Sequence, residues 1–297
     1  ILKCFLLNLY NLISPDRPMR TQSHRILLII VSMLLACSAG IAQAKETKRM
    51  ALLIGNADYS FSPLKNPLND ASDLSRRLSS IGFHTTMLAN PTYQQFQSAI
   101  TSFYNAVSKD PETLSVFYYA GHAIQLNNVN YLIPVDAKVS SLDTLVDESI
   151  SINDLLLAMA HTSNKQNLVI LDACRTNPFK DVSAEDAGSE VEVPHETVRE
   201  LPQGLAPVEA PAGTIIAYAT APGNVAKDGK GRNGTYTKNL LKHLDKHQPV
   251  EQIFKLVRED VVNETDGKQI PWEHSSLYKR VYFYPPRNES IPEIGGF

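Results

Sequence analysis

Two stretches decide the fold of this chain: LSVFYYAGH at residues 114–122 and LVILDAC at residues 168–174. Each begins as a nearly unbroken run of apolar and aromatic residues, which is typical of a strand buried on both faces of a sheet. Each run then gives way to small residues and ends in one reactive side chain, His122 or Cys174. The sequence therefore predicts two core strands that deliver a base and a thiol to the loops beyond their ends.

The rest of the chain alternates strand with helix in the same way. Short apolar runs predict further strands at 50–54, 84–89, 214–219 and 278–284, and a hairpin over 123–135. Helical spacing of apolar residues predicts helices over 67–81, 93–107, 153–160, 235–247 and 250–264. Strands that are apolar on both faces and separated by helices favour an α/β fold, with a mostly parallel sheet covered on both sides.

The positions of His122 and Cys174 suggest catalysis, because functional groups collect at the carboxyl ends of strands in such sheets. A thiol with a pKa near 8.5 is only a few per cent thiolate at neutral pH, and a neighbouring imidazole can take its proton. The backbone amides of Ala123 and Cys174 are candidate donors to the oxyanion of a tetrahedral intermediate. An inert structural pair is the alternative, because many lone cysteines are simply small buried residues.

Several motifs resemble the caspase and metacaspase family of cysteine peptidases. Residues 118–123, YYAGHA, are similar to its histidine motif, and residues 168–175, LVILDACR, are similar to its cysteine motif. ALLIGN at 51–56 and LKNPLNDA at 64–71 resemble its opening strand and first helix. The resemblance runs from about residue 49 to 284 and implies a caspase-like three-layer α/β/α sandwich, a His122–Cys174 dyad and endopeptidase activity. The peptidase domain is expected to cover residues 45–297.

The same resemblance implies a substrate preference. Metacaspases cleave after Arg or Lys, and their pocket acids match Asp70 and Asp172 in this sequence. Caspases cleave after Asp and carry Gln-Ala-Cys where this chain has Asp172-Ala173-Cys174. Paired carboxylates also suit a guanidinium, which they can bind through two parallel hydrogen bonds. The departures are Ala123, where Gly is common, and Arg175-Thr176-Asn177 after the cysteine; they leave the oxyanion geometry and substrate range open.

Two other classes of function stay open at this stage. One is a non-catalytic caspase-like interaction or scaffold module, and the other is a different thiol acyltransferase or hydrolase on a similar sheet. A peptide or protein substrate is the expected partner, and the oligomeric state is left open. The formal net charge of −3 and the pI of about 6.3 argue against a nucleic-acid partner.

No cofactor or metal is expected from the sequence. His243 and His247 lie four residues apart on a predicted helix, but Leu244 stands where a zinc peptidase places Glu, so a solvated face is the better interpretation. Calcium activation, known in many metacaspases, has no acidic loop with ligand spacing to support it here.

The first 44 residues have the pattern of an upstream segment followed by a secretory signal. Basic residues after Met19 precede the apolar run 26–36, and small residues end at Ala44. A competing cut before Cys37 resembles a bacterial lipobox and would leave that cysteine lipidated. The expected location is therefore outside the cytoplasm, most simply the periplasm, with membrane attachment only through a lipidated Cys37 or an uncleaved signal.

Residues 180–212 are rich in acids and prolines and show little periodicity, which predicts an exposed linker. This linker matches the region where caspases separate their large and small subunits. It contains Lys180 and Arg199, either of which would suit self-cleavage by an enzyme specific for basic residues.

Overall fold

The computed structural model describes residues 47–138, 141–173, 201–202, 204–224, 226, 229 and 231–286. The strands, in chain order, are β1 (Arg49–Gly55), β2 (His84–Ala89), β3 (Leu114–Ala120), β4 (Ala123–Leu126), β5 (Val129–Leu132), β6 (Ile150–Ser151), β7 (Asn167–Asp172), β8 (Thr214–Tyr218) and β9 (Trp272–Ser275). The helices are α1 (Pro67–Ser80), α2 (Tyr93–Val107), α3 (Leu142–Asp147), α4 (Ile152–Ala160), α5 (Thr235–Leu241) and α6 (Val250–Glu264). Within these described ranges, none of the helices has the length and apolar character needed to cross a bilayer.

The main sheet has six strands in the order β2-β1-β3-β7-β8-β9, all parallel except the last. Strands β3, β7 and β8 are buried along their whole length. This explains their continuous apolar sequences, because each face of a parallel sheet must be covered. The predicted α/β fold with a mostly parallel sheet is confirmed.

Helices cover both faces of this sheet. From β1, the chain crosses through α1 to β2 on one side and then returns through α2 to β3 on the other side. Right-handed crossovers in opposite directions put the two helices on opposite faces. Helix α1 packs with α5, which packs with α6, whereas α2 packs with α4. The result is the three-layer sandwich that the sequence motifs implied.

Alternate residues of β3 show the two faces directly. Phe117 and Tyr119 stack against Phe96 of α2, with ring centroids 6.5 and 5.8 Å away. Tyr118 points to the opposite face, where its hydroxyl lies 2.7 Å from the Thr237 hydroxyl of α5. The period of two along the strand therefore sends successive tyrosines into different layers.

A small antiparallel sheet, β4-β5-β6, follows β3 directly. The predicted hairpin over 123–135 corresponds to β4 and β5, which are joined through Asn127 and Asn128, both in the left-handed region with φ of 50° and 63°. Asparagine tolerates this conformation better than other side chains do, so the two residues suit a tight connection. Strand β4 begins three residues after the end of β3, so His122 lies in the short connection between the two sheets.

The predicted strand at 278–284 is wrong. The last strand of the main sheet is β9, antiparallel to β8, and residues 278–284 make only one bridge within the described ranges, between Tyr282 and Pro249. Val281 and Phe283 are buried and alternate with half-buried Tyr282 and Tyr284, but they pack into the core without a strand partner in the described ranges. Alternating burial along an extended segment is therefore not sufficient for sheet pairing.

The structure describes only residues 201–202 and 204–212 of the predicted linker at 180–212, and burial there is mixed, with Pro202, Pro207 and Glu209 exposed. Leu205 and Ala206 are buried. The Asn130 side chain bonds the backbone of Ala206 twice, by donating to its carbonyl oxygen at 2.8 Å and accepting from its N–H at 2.8 Å. The Asn130 side-chain amide thus satisfies the backbone N–H and C=O of Ala206, as a neighbouring strand would do. The candidate cleavage sites Lys180 and Arg199 lie outside the described residues.

Candidate active site

The two strands that precede His122 and Cys174 in the sequence, β3 and β7, lie side by side. Strand β3 pairs in parallel with β7, and Ala120 is directly opposite Asp172. His122 follows Ala120 by two residues, just as Cys174 follows Asp172 by two residues in the sequence. Cys174 itself lies outside the described residues. The described part of the site is therefore the histidine, the acidic residues and the groups around them.

His122 is 3% exposed and sits against a loop that follows β1. Its imidazole packs on the rings of Tyr59 and Phe61, with centroids 4.5 and 5.9 Å away. Its Nε2 lies 2.7 Å from the carbonyl oxygen of Ser62. A carbonyl oxygen only accepts hydrogen bonds, so this geometry assigns the proton of the neutral ring to Nε2. The Nδ1 atom then keeps the lone pair that a general base uses.

Two tyrosine hydroxyls hold the backbone of His122. The Tyr59 hydroxyl accepts the N–H of His122 at 3.0 Å and donates to the carbonyl oxygen of Ile133 at 2.9 Å. The Tyr119 hydroxyl donates to the carbonyl oxygen of His122 at 2.7 Å. Burial raises the pKa of Tyr119 well above its ordinary value, so this hydroxyl stays a proton donor. We call Tyr59 and Tyr119 the tyrosine clamp.

The residue between strand and histidine must be small. A Cβ on Gly121 would lie 2.6 Å from the Tyr119 hydroxyl oxygen and 2.7 Å from that of Tyr59. These distances are below any ordinary carbon–oxygen contact, so only glycine leaves both hydroxyls of the clamp in place. The glycine that follows β3 thus has a steric cause.

Ala123, the predicted oxyanion donor, is the first residue of β4 and is buried. It is paired with Leu132, while the Ile133 N–H donates to the His122 carbonyl oxygen at 3.0 Å. This bond identifies Ala123 and Leu132 as a pair that does not exchange hydrogen bonds in an antiparallel ladder. The N–H of Ala123 therefore points away from β5. The second predicted donor, the amide of Cys174, lies outside the described residues.

The predicted substrate-binding acids, Asp70 and Asp172, come together although they are far apart in the sequence. Asp70 lies in the first turn of α1 and Asp172 at the end of β7, and they are 0% and 4% exposed. Both reach the same space beside Gly234: a Cβ on that glycine would lie 3.1 Å from Asp70 Oδ2 and 3.6 Å from Asp172 Oδ2. We call Asp70 and Asp172 the acid pair.

Each carboxylate of the acid pair has a fixed donor. The Gly234 N–H donates to Asp70 Oδ1 at 2.9 Å, and the Thr237 hydroxyl donates to Asp172 Oδ2 at 2.8 Å. Because an ionised carboxylate only accepts, Thr237 must in turn accept from the Tyr118 hydroxyl, 2.7 Å away. Burial raises the pKa of Tyr118 well above its ordinary value, and the charges of Asp172 and Asp70 raise it further.

Sequence reasoning missed several of these residues. Tyr59, Phe61 and Ser62 contact His122 from about 60 positions away, and nothing in their local pattern marks them. Gly234 ends a glycine-rich stretch, 223–234, and contacts the acid pair. Thr237 belongs to none of the sequence motifs, so its contact with Asp172 could not be predicted.

The structure offers no metal centre within the ranges that it describes, since no three of their His, Cys, Asp or Glu residues are grouped to hold an ion. The expected solvated face for His243 is wrong: this side chain is buried, and its Nε2 lies 3.0 Å from Asp260 Oδ2. A helix that ends at Leu241 turns His243 inward against α6. His247 stays exposed and stacks on Tyr284.

The fold and the strand-end histidine define an α/β domain of the caspase type. Comparison with protein families gives the same result, because the model of the caspase domain matches residues 48–282. The chain therefore belongs to the caspase-domain family of cysteine peptidases.

Two curated proteins match the chain at low sequence identity. The human mucosa-associated lymphoid tissue lymphoma translocation protein 1 is 26% identical over 239 residues, which cover 78% of this chain and 26% of that protein. Its mouse homologue gives the same identity and coverage. The chain thus spans about a quarter of the length of the curated relatives that it matches.

Proposed function

We propose that this protein is a cysteine endopeptidase in which His122 and Cys174 form the catalytic dyad, and that it cleaves peptide bonds after Arg or Lys. The observation that carries the dyad is the fixed histidine. The Ser62 carbonyl occupies Nε2, and the tyrosine clamp holds the backbone, so Nδ1 is the ring atom that acts as the base. In the sequence, Cys174 comes two residues after Asp172, the last residue of the adjacent strand β7.

The proposed reaction needs no group beyond the chain and water. His122 Nδ1 takes the thiol proton of Cys174 as the sulfur attacks the scissile carbonyl carbon. The N–H of Ala123, which points away from β5, donates to the resulting oxyanion. The intermediate collapses when the C–N bond breaks and the imidazolium returns its proton to the leaving amine. Water then hydrolyses the thioester, with the same imidazole as the base.

The proposed specificity rests on the acid pair. Two buried carboxyl groups border one space, and when both are ionised they place two negative charges where there is little solvent. Such charges are costly to bury unless a cation compensates for them. A substrate guanidinium supplies the charge and several N–H donors, and an ammonium supplies the charge with fewer fixed directions. The carboxylate of an Asp side chain would be repelled.

The direct test is cleavage of three matched fluorogenic peptides that differ only in Arg, Lys or Asp before the scissile bond. We expect the Arg and Lys peptides to be cleaved and the Asp peptide to remain intact, and the Cys174→Ala variant to lose at least about 10³-fold in kcat/KM. Preference for Asp would contradict the specificity. Equal cleavage rates for wild type and Cys174→Ala would contradict the dyad, and no cleavage of any of the peptides by the wild type would favour a non-catalytic scaffold.

A conservative change in the tyrosine clamp tests how His122 is held. Tyr59→Phe keeps the ring that packs on the imidazole but removes the acceptor of the His122 N–H. A buried N–H without its acceptor costs about 1–3 kcal/mol, so we expect kcat to fall roughly tenfold while KM is unchanged.

The matched control for this change is Tyr104→Phe. Tyr104 is a buried tyrosine of α2 whose hydroxyl makes no hydrogen bond within the part of the chain that the structure describes. Removing that hydroxyl should leave kcat, KM and the melting temperature close to those of the wild type. Equal kcat values for the two variants would mean that the Tyr59 hydroxyl does not position the base.

Self-processing and export remain further proposals. Cleavage at Lys180 or Arg199 would follow from the proposed specificity, and the wild type but not Cys174→Ala should then convert to two fragments on incubation. Export through the predicted signal, with Ala44 or Cys37 as the alternative cut sites, concerns residues outside the described ranges. Amino-terminal sequencing of the protein from the host would distinguish the two cuts.

A further inference from the structure

Gly234 lies where the loop before α5 meets the acid pair. Its N–H donates to Asp70 Oδ1, and the position of its absent Cβ lies within 3.6 Å of Asp172 Oδ2. Any side chain at this position would begin in the space between the two carboxylates. With only a hydrogen on its Cα, Gly234 puts no side chain into that space.

The backbone at this position does not require glycine. Gly234 has φ −59° and ψ 154°, an extended conformation that every residue adopts easily. Glycine is usually explained by a positive φ or by a close approach of neighbouring atoms. Here only the second applies: a Cβ would make a tight contact with Asp70 Oδ2 at 3.1 Å and an ordinary van der Waals contact with Asp172 Oδ2 at 3.6 Å.

The loop that carries Gly234 is fastened to α1 beside the pocket. Arg232 donates to both carboxylate oxygens of Asp73, from Nε at 2.8 Å and from Nη2 at 3.0 Å, and Asn233 Nδ2 adds a bond at 3.0 Å. Asn69 Nδ2 donates to the Arg232 carbonyl oxygen at 3.2 Å. Hydrogen bonding from Arg232 lowers the pKa of Asp73 although partial burial opposes the shift, so the pair is charged at neutral pH.

We propose that Gly234 is a specificity-determining residue, which leaves room for the end of an Arg or Lys side chain between Asp70 and Asp172. The bidentate hydrogen bonds from Arg232 to Asp73 position Gly234 beside the acid pair. This inference rests on the proposed function, because it assigns a wall to the pocket of that same site. It predicts that one methyl group at position 234 impairs recognition of the basic side chain without disabling the dyad.

The test compares Gly234→Ala with Gly231→Ala. The second change is a matched control three residues earlier, where a Cβ would meet no heavy atom of the described residues within 4 Å and φ is not in the left-handed region. For the Arg peptide we expect Gly234→Ala to lower kcat/KM at least about tenfold, mainly through KM. Gly231→Ala should stay within about twofold of the wild type.

A second readout separates the pocket from the dyad. Iodoacetamide is small and needs no basic-side-chain pocket, so its rate of reaction with Cys174 should be the same in Gly234→Ala and the wild type. An unchanged alkylation rate together with a raised KM supports the proposal. Wild-type kcat/KM for the Arg peptide in a folded Gly234→Ala variant would overturn it.

A second pair of variants keeps the proposal testable if Gly234→Ala does not fold. Arg232→Lys retains the charge but loses the bidentate bond to Asp73, and the side chain is half exposed, so the fold tolerates the change. Arg76→Lys is the control, because Arg76 also bonds Asp73 but belongs to α1 itself. We expect KM for the Arg peptide to rise about threefold in the first variant and not in the second. Equal KM values would count against the positioning role.

The proposed function and the role of Gly234 fail in different ways. If the wild type cleaves neither basic peptide, or cleaves them without Cys174, the proposed function itself is wrong. If the wild type cleaves after Arg through Cys174 and position 234 accepts alanine without loss, only the role of Gly234 is wrong.

Discussion

Replacing Asp172 with Asn should lower kcat/KM for an Arg peptide by about 10²-fold or more, with most of the loss in KM. The side chain is buried and bonded to the Thr237 hydroxyl. Asparagine keeps an oxygen that accepts this bond, so the change removes charge with little change in shape. Losing one partner of a desolvated charge pair costs about 2–5 kcal/mol. The peptidase assay with Arg and citrulline peptides measures the effect.

The citrulline peptide is the matched substrate control, because citrulline has the shape of arginine without its charge. The wild type should discriminate strongly in favour of Arg, and Asp172→Asn should lose most of that discrimination. Asp154→Asn, a change in the first turn of α4 on the other face of the sheet, should behave as the wild type. If Asp172→Asn kept the full preference for Arg, the acid pair would not be the binding site for the substrate cation.

Gly121→Ala is expected to reduce kcat by about 10²-fold while KM changes little. The added methyl group cannot coexist with the Tyr119 and Tyr59 hydroxyls at 2.6 and 2.7 Å, so the tyrosine clamp must move and carry His122 with it. A displacement of about 1 Å in a catalytic group is enough for a loss of this size. Steady-state kinetics separates this effect from pocket damage, because the acid pair lies on α1 and β7.

The double variant tests whether Gly121 acts through the clamp. Gly121→Ala displaces the same hydroxyl that Tyr59→Phe removes, so the two changes should not add: the double variant should be no slower than Gly121→Ala alone. Full additivity of the two losses would show that Gly121 affects the rate by another route.

The sequence alone predicted those parts of the molecule that depend on local pattern. The apolar runs before Gly121 and before Asp172 were sufficient to place two core strands. A strand that is covered on both faces of a sheet is apolar at nearly every position. Once the strands are parallel neighbours, their carboxyl ends must meet at one edge of the sheet. The local pattern was therefore enough to predict that His122 and Asp172 lie on that edge.

The contacts that complete the site have no local signature. Ser62 and Tyr59 meet His122, and Gly234 meets Asp70, only because the sheet brings distant loops together. The same reason explains the errors. Val281 and Phe283 alternate like a strand, but whether such a segment finds a partner is decided by the rest of the fold.

The proposed function requires Cys174 to be an activated nucleophile beside a pocket for a basic side chain. The most direct measurement is intact-protein mass spectrometry after incubation with a peptidyl-arginine chloromethyl ketone. We predict one covalent adduct on the wild type, mapped to Cys174, that forms much faster than with the matching Asp reagent and is absent from Cys174→Ala. No adduct at Cys174, or faster labelling by the Asp reagent, would contradict the proposed function.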